Sequence, residues 1–141
     1  MLIPLLLAVV IPASSAQPLS PAEGPLAGPA VVVLWASWCA SCQAEIARLP
    51  RLAAAAAPLP VRTLAIDPPA LARRTLVARG QSVQGAYADG RPPRAVLDQW
   101  GGAGSALPVA VALDRNGKVC GRKLGLLGTD QLKQWAARCR K

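Results

Sequence analysis

The feature that most constrains this chain is a strand-like apolar run leading directly into two closely spaced cysteines. Val31-Val32-Val33-Leu34-Trp35 is unbroken and rich in β-branched residues. A half-exposed strand would alternate, so this run reads as a strand covered on both faces. Ala36-Ser37-Trp38 turns the chain. From Cys39 to about Ala57 the pattern is helical, with Ile46, Leu49 and Leu52 at three-residue spacing and Ala between them. Pro50 falls inside this stretch and is expected to kink or split it. Pro58 and Pro60 end it.

Cys39 and Cys42 therefore open a helix, and one turn can bring their sulfurs together. At the helix start Cys39 faces unpaired N–H groups and the positive end of the helix dipole, which favour a thiolate. Cys42, one turn in, is expected to be more buried. This setting points to exchange chemistry: a thiolate attacks a disulfide sulfur, and the second thiol then resolves the mixed disulfide. An inert structural disulfide and a metal site are the alternatives. A zinc ribbon needs a second close cysteine pair, and Cys120 and Cys139 are far apart in sequence. Haem attachment needs a His after the second Cys, where this chain has Gln43. The chain has no histidine at all, which excludes Ser-His and Cys-His catalytic pairs and His-ligated metals. No metal or other cofactor is expected.

The 141 residues suit one domain, and with no Phe its core must rest on Leu, Val, Ile and Ala. The formal charge is +9. The basic residues are scattered, with few aromatics among them, so a solvated basic surface is expected and no nucleic-acid partner. Leu2 to Ile11 is an apolar run about half the length of a membrane-spanning helix. It matches the core of a secretory signal peptide. Ser14 and Ala16 suit a small-residue cleavage site, giving residues 1–16 as signal and Gln17 as the mature start. No Lys or Arg precedes the run, so a mispredicted start or an uncleaved membrane anchor is the alternative. Export would place the cysteines where disulfides persist.

Residues 17–29, rich in Pro, Gly, Ala and Ser, read as a linker or irregular arm. A domain over residues 30–141 follows. Val61 to Ile66 reads as a second strand, closed by Asp67-Pro68-Pro69. Ala70 to Ala78 reads as a helix with a basic face of Arg73, Arg74 and Arg79. Gly80 to Pro93 is turn-rich and reads as loop, and Arg94 to Trp100 as a short helix. Pro108 opens a strand over Val109 to Leu113. Asp114-Arg115-Asn116-Gly117 is a hairpin turn, and Lys118 to Leu124 returns. Thr129 suits an N-cap and Asp130 the first turn of a helix ending at Cys139. The order predicts an α/β fold: a mixed four-stranded sheet with helices on both faces. The last helix returns about 16 Å. That length brings Cys139 back beside Cys120, so a structural disulfide is expected there. Two free thiols or a second redox pair are the alternatives. Trp35, Trp100 and Trp135 read as core residues.

Residues Val32 to Glu45, with Trp38-Cys39-Ala40-Ser41-Cys42 at their centre, resemble the active-site segment of thioredoxin-like proteins, above all the exported TlpA/ResA/DsbE group. Leu107-Pro108-Val109 through Gly117-Lys118 resembles that family's second signature, a cis-proline, a strand and a D-x-x-G hairpin. The resemblance covers roughly residues 30 to 140 and implies a thioredoxin fold with a central insert, placed at Gly80–Trp100. It implies a protein thiol-disulfide oxidoreductase, with Pro108 beside the cysteines and the Leu107 backbone and Trp38 on the substrate surface. It also implies a Glu45 carboxyl near Cys42 that takes part in its proton transfers, a solvated helix carboxylate being the alternative. Protein thiols, those of cytochrome or metal-centre precursors among them, would be the substrates, and a membrane thiol carrier the electron donor. Three departures stand out. Ala40–Ser41 is unusual between the cysteines. Leu107 replaces the usual Thr, Val or Ile. Val33 stands where cytosolic thioredoxin has a buried Asp. A non-catalytic binding or chaperone module, with Cys39–Cys42 as a staple, is the competing reading.

Overall fold

The computed structural model describes residues 15–140. The signal segment expected over residues 1–16 lies, but for its last two residues, outside the described residues. Among the described residues no helix is long and apolar enough to cross a membrane.

Strand β2, Ala30–Trp35, is buried at every position and lies inside a six-stranded sheet. It runs parallel to β3, Val61–Ala65, and antiparallel to β5, Val109–Leu113. Its side chains divide between two cores. Val32 and Leu34 join Ile46, Leu64, Leu76 and Val111 on one face. Val31 and Val33 join Leu52, Leu132 and Trp135 on the other. An alternating strand buried on both sides produces this division.

Helix α1, Ala40–Ala47, stops at Arg48, and α2, Leu49–Ala56, starts afresh with Pro50 in its first turn. Proline lacks the N–H that a continuous helix would need there, which is why the stretch splits. Helix α3, Pro69–Ala78, carries Ala72 and Leu76 inward. Helix α4, Pro93–Trp100, carries Val96, Leu97 and Trp100 inward. Strand β6, Val119–Leu124, pairs with β5 through the hairpin. Helix α5, Thr129–Cys139, packs over Ala110 and Ala112. The small residues there let the helix approach. Gly121 completes the seat, because a Cβ on it would stand 2.5 Å from Trp135 Nε1.

Four expectations need correction. Among the described residues the sheet has six strands rather than four, in the order β1 (Gln17–Pro18), β4 (Ala86–Ala88), β3, β2, β5, β6. The segment read as loop contains β4, Ala86–Ala88, parallel to β3. The arm contributes β1, Gln17–Pro18, antiparallel to β4. The arm is also docked: Leu19 is buried, Tyr87 Oη donates to the Gly24 carbonyl at 2.8 Å, and Gly85 N–H donates to Glu23 Oε1 at 2.8 Å. Finally, the N-cap of α5 is Gly128, not Thr129, and no side chain caps it.

The strand directions define a functional pole. Parallel β2, β3 and β4 end there, β5 begins there, and β6 ends there.

Candidate active site

Chain leaving β2 at this pole reaches Cys39, which is the N-cap of α1 with extended backbone, φ −96° and ψ 105°. Its sulfur accepts the Cys42 N–H at 3.3 Å and lies 3.6 Å from Ser41 Oγ. An N-cap normally uses an oxygen to satisfy a free helix N–H. Here a sulfur takes that place, at the positive end of the helix, where a thiolate is stabilised. Cys39 and Cys42 are disulfide-bonded, with Cα atoms 5.3 Å apart. Cys39 retains 8% exposure and Cys42 none, the gradient expected of an attacking and a resolving thiol.

Residues that the sequence reading passed over hold this loop. Asp67, buried just after β3, accepts Ser37 N–H at 2.7 Å and Ser37 Oγ–H at 3.0 Å. Gln43 Nε2 donates to the carbonyls of Ala36 at 3.2 Å and Ser37 at 3.4 Å. The available signal was Asp67 at the end of a strand parallel to β2, because neighbouring parallel strands deliver their following loops to one place.

Trp38 is 67% exposed beside Cys39 in sequence. The Leu107–Pro108 peptide is cis. Pro108 is buried and precedes Val109, the register partner of Leu34, so it lies at the pole where β2 delivers the cysteine loop. Leu107 is half-buried against the core that includes Cys39 and Cys42. Glu45 is fully buried and accepts from Leu127 N–H at 2.8 Å and Arg48 Nη1–H at 3.1 Å. Among the described residues its carboxylate has no hydrogen bond to either cysteine.

Asp89, at the end of β4, is buried and paired with Arg91 at 2.8 Å. Burial opposes its charge, but hydrogen bonds and attraction from Arg91 prevail and hold its carboxyl below the usual value. Arg91 also bonds Gln99 Oε1. Cys120 and Cys139 are joined by a second disulfide, Cα–Cα 5.7 Å, where β6 begins and α5 ends. That is the pole opposite Cys39. Among the described residues no group of three or more His, Cys, Asp or Glu is placed to hold a metal.

No protein-family model matches the chain, and no curated protein matches it in sequence. Solved structures do match. A thioredoxin-related protein from Neisseria meningitidis serogroup B superposes with a TM-score of 0.63 at 19% identity, covering 86% of this chain and 96% of that one. StoA from Bacillus subtilis gives 0.61 at 16% identity, over 88% and 98%. A thio-disulfide isomerase from Thermus thermophilus gives 0.58 at 26% identity, over 78% of each chain. The chain is a thioredoxin-fold protein. Within that fold the neighbours at 25% identity or more include this thio-disulfide isomerase and a Chlorobium tepidum protein assigned as the thiol:disulfide interchange protein DsbE, consistent with the TlpA/ResA/DsbE resemblance of the two signatures. The extra strands β1 and β4 extend this thioredoxin fold on the side of the central insert.

Proposed function

We propose that the chain is an exported thiol-disulfide oxidoreductase that reduces protein disulfides through Cys39 and Cys42. The observation that carries the reading is the Cys39 sulfur seated as the N-cap of α1, with Cys42 one turn behind and bonded to it. In the reduced protein the Cys39 thiolate attacks one sulfur of a substrate disulfide. A mixed disulfide forms and one substrate thiolate leaves. The Cys42 thiolate then attacks the Cys39 sulfur and expels the second substrate thiolate. Two electrons pass to the substrate, and the protein ends with the Cys39–Cys42 bond. An external thiol, in this reading a membrane thiol carrier, must reduce it again. Pro108 forms a wall of the site, the Leu107 backbone and exposed Trp38 receive the substrate chain, and Cys120–Cys139 acts as a structural staple. Two disulfides in one chain and the apolar run over residues 2–11 support an oxidising, extracytoplasmic location.

Insulin reduction driven by dithiothreitol tests the reading. The wild type is expected to accelerate precipitation of the insulin B chain, and Cys39→Ser to lose that acceleration. A wild type no faster than dithiothreitol alone contradicts the proposal and favours a binding module stapled by the same bond.

A further inference from the structure

Glu45 sits one turn past Cys42 on α1 and is fully buried. A buried carboxylate is costly unless paired, so its partners indicate its task. One oxygen accepts Leu127 N–H at 2.8 Å, and the other accepts Arg48 Nη1–H at 3.1 Å. Arg48 Nη2 in turn donates to the Leu127 carbonyl at 3.1 Å. The three residues close a ring in which both backbone polar groups of Leu127 are held by α1 and its C-cap. Two positions earlier, Gly125 N–H donates to the Pro108 carbonyl at 2.8 Å. Residues 125–127 therefore form a strap, tied at one end to Pro108, which leads into β5, and at the other to the helix that carries Cys42. The strap and the end of β6 expose two large apolar side chains, Leu126 at 47% and Leu124 at 57%.

We propose that Arg48 and Glu45 are positioning residues that clamp this strap to α1 and so fix the Leu107–Pro108 turn relative to the cysteine helix. Glu45 acts as a brace: each of its oxygens accepts one N–H, and neither bonds a sulfur in the disulfide form. An arginine suits the task because its planar fork reaches the carboxylate and the carbonyl together, which a lysine ammonium does not reproduce. The inference rests on the thiol-exchange reading and names residues that would favour protein substrates over small ones.

The test compares full-length wild type with Arg48→Met, Arg48→Lys and Glu45→Gln on insulin and on hydroxyethyl disulfide. It also follows the pH profile of Cys39 alkylation by iodoacetamide in the reduced proteins. Arg48→Met is expected to raise KM for insulin about tenfold, the scale of one charge-assisted hydrogen bond. Its kcat and its rate on hydroxyethyl disulfide should stay within about twofold, below what loss of an acid–base group costs. Arg48→Lys should fall between Arg48→Met and wild type. Glu45→Gln should show the same KM split with an unmoved alkylation midpoint. If Glu45→Gln slows both substrates alike and alters the pH profile while Arg48→Met behaves as wild type, Glu45 carries protons and the proposal is overturned. Should Glu45→Gln not fold, Arg48→Met decides alone, and an unchanged KM for insulin rejects the brace. A wild type inactive on both substrates rejects the exchange reading itself, a result separate from any difference between variants, and removes the brace's function with it.

Discussion

The two disulfides of this chain have nearly the same span, 5.3 Å and 5.7 Å between Cα atoms, but opposite settings. Cys39–Cys42 closes a sequence separation of 3 within one helical turn, at the open N-terminal end of α1. Cys120–Cys139 closes a separation of 19 and ties β6 to the far end of α5. No helix N-terminus faces it, since Cys139 ends α5 and Cys120 lies in β6. Under the proposed function, a sulfur's surroundings, more than the bond it makes, separate a reaction centre from a staple. Helix N–H groups stabilise a departing or attacking thiolate. A long closed loop restricts the unfolded chain instead.

The largest expected effect breaks the comparison at its reactive end. Cys39→Ser should lower insulin reduction by about 100-fold or more, because no other sulfur takes the attacking role. Cys42→Ser should accumulate a mixed disulfide between Cys39 and substrate, visible by non-reducing electrophoresis. The paired substitution Cys120→Ala/Cys139→Ala should leave insulin reduction within about twofold but cost about 3 kcal/mol of stability in urea unfolding, from the loop length closed. A smaller effect comes from the seat of α5. Gly121→Ala should destabilise by about 2 kcal/mol through overpacking against Trp135, measured the same way. At the reactive pole, Asp67→Ala should leave Ser37 N–H unpaired, costing about 1–2 kcal/mol and slowing exchange several-fold as the loop loosens.

The smallest effect is a pH dependence. The folded-state carboxyl of Asp89 titrates below its unfolded value because of Arg91. Its contribution is therefore present above about pH 4, the unfolded value, and is lost as pH falls through the folded one. Asp89→Asn should flatten that acid limb of the unfolding curve, and an unchanged limb would remove the pair from the account.

Much of this was legible in sequence because the signals were long or chemically distinctive. Five buried apolar residues, Val31 to Trp35, can hardly be anything but a central strand. Pro50 announces the α1–α2 break, and Asp114 to Gly117 announces the hairpin. What was missed is short or tertiary. Strands β1 and β4 have two and three residues, too few for any periodicity, and Gln17–Pro18 has no intrinsic strand preference. They exist because an adjacent strand offers pairing partners. The N-cap of α5 fell to Gly128 because the backbone entering from Leu127 is already held by Glu45 and Arg48. The Asp67–Ser37 and Glu45–Leu127 bonds span 30 and 82 positions, distances at which local sequence carries no information. The cysteine pair was readable as chemistry, whereas the residues that hold it in place were not.

The most direct test equilibrates the oxidised protein in glutathione buffers of graded poise, quenches with an alkylating reagent, and assigns each cysteine by peptide mass. The account predicts that Cys39 and Cys42 become alkylated together at a poise where Cys120 and Cys139 remain bonded. Simultaneous opening of both pairs, or opening of Cys120–Cys139 first, would contradict it.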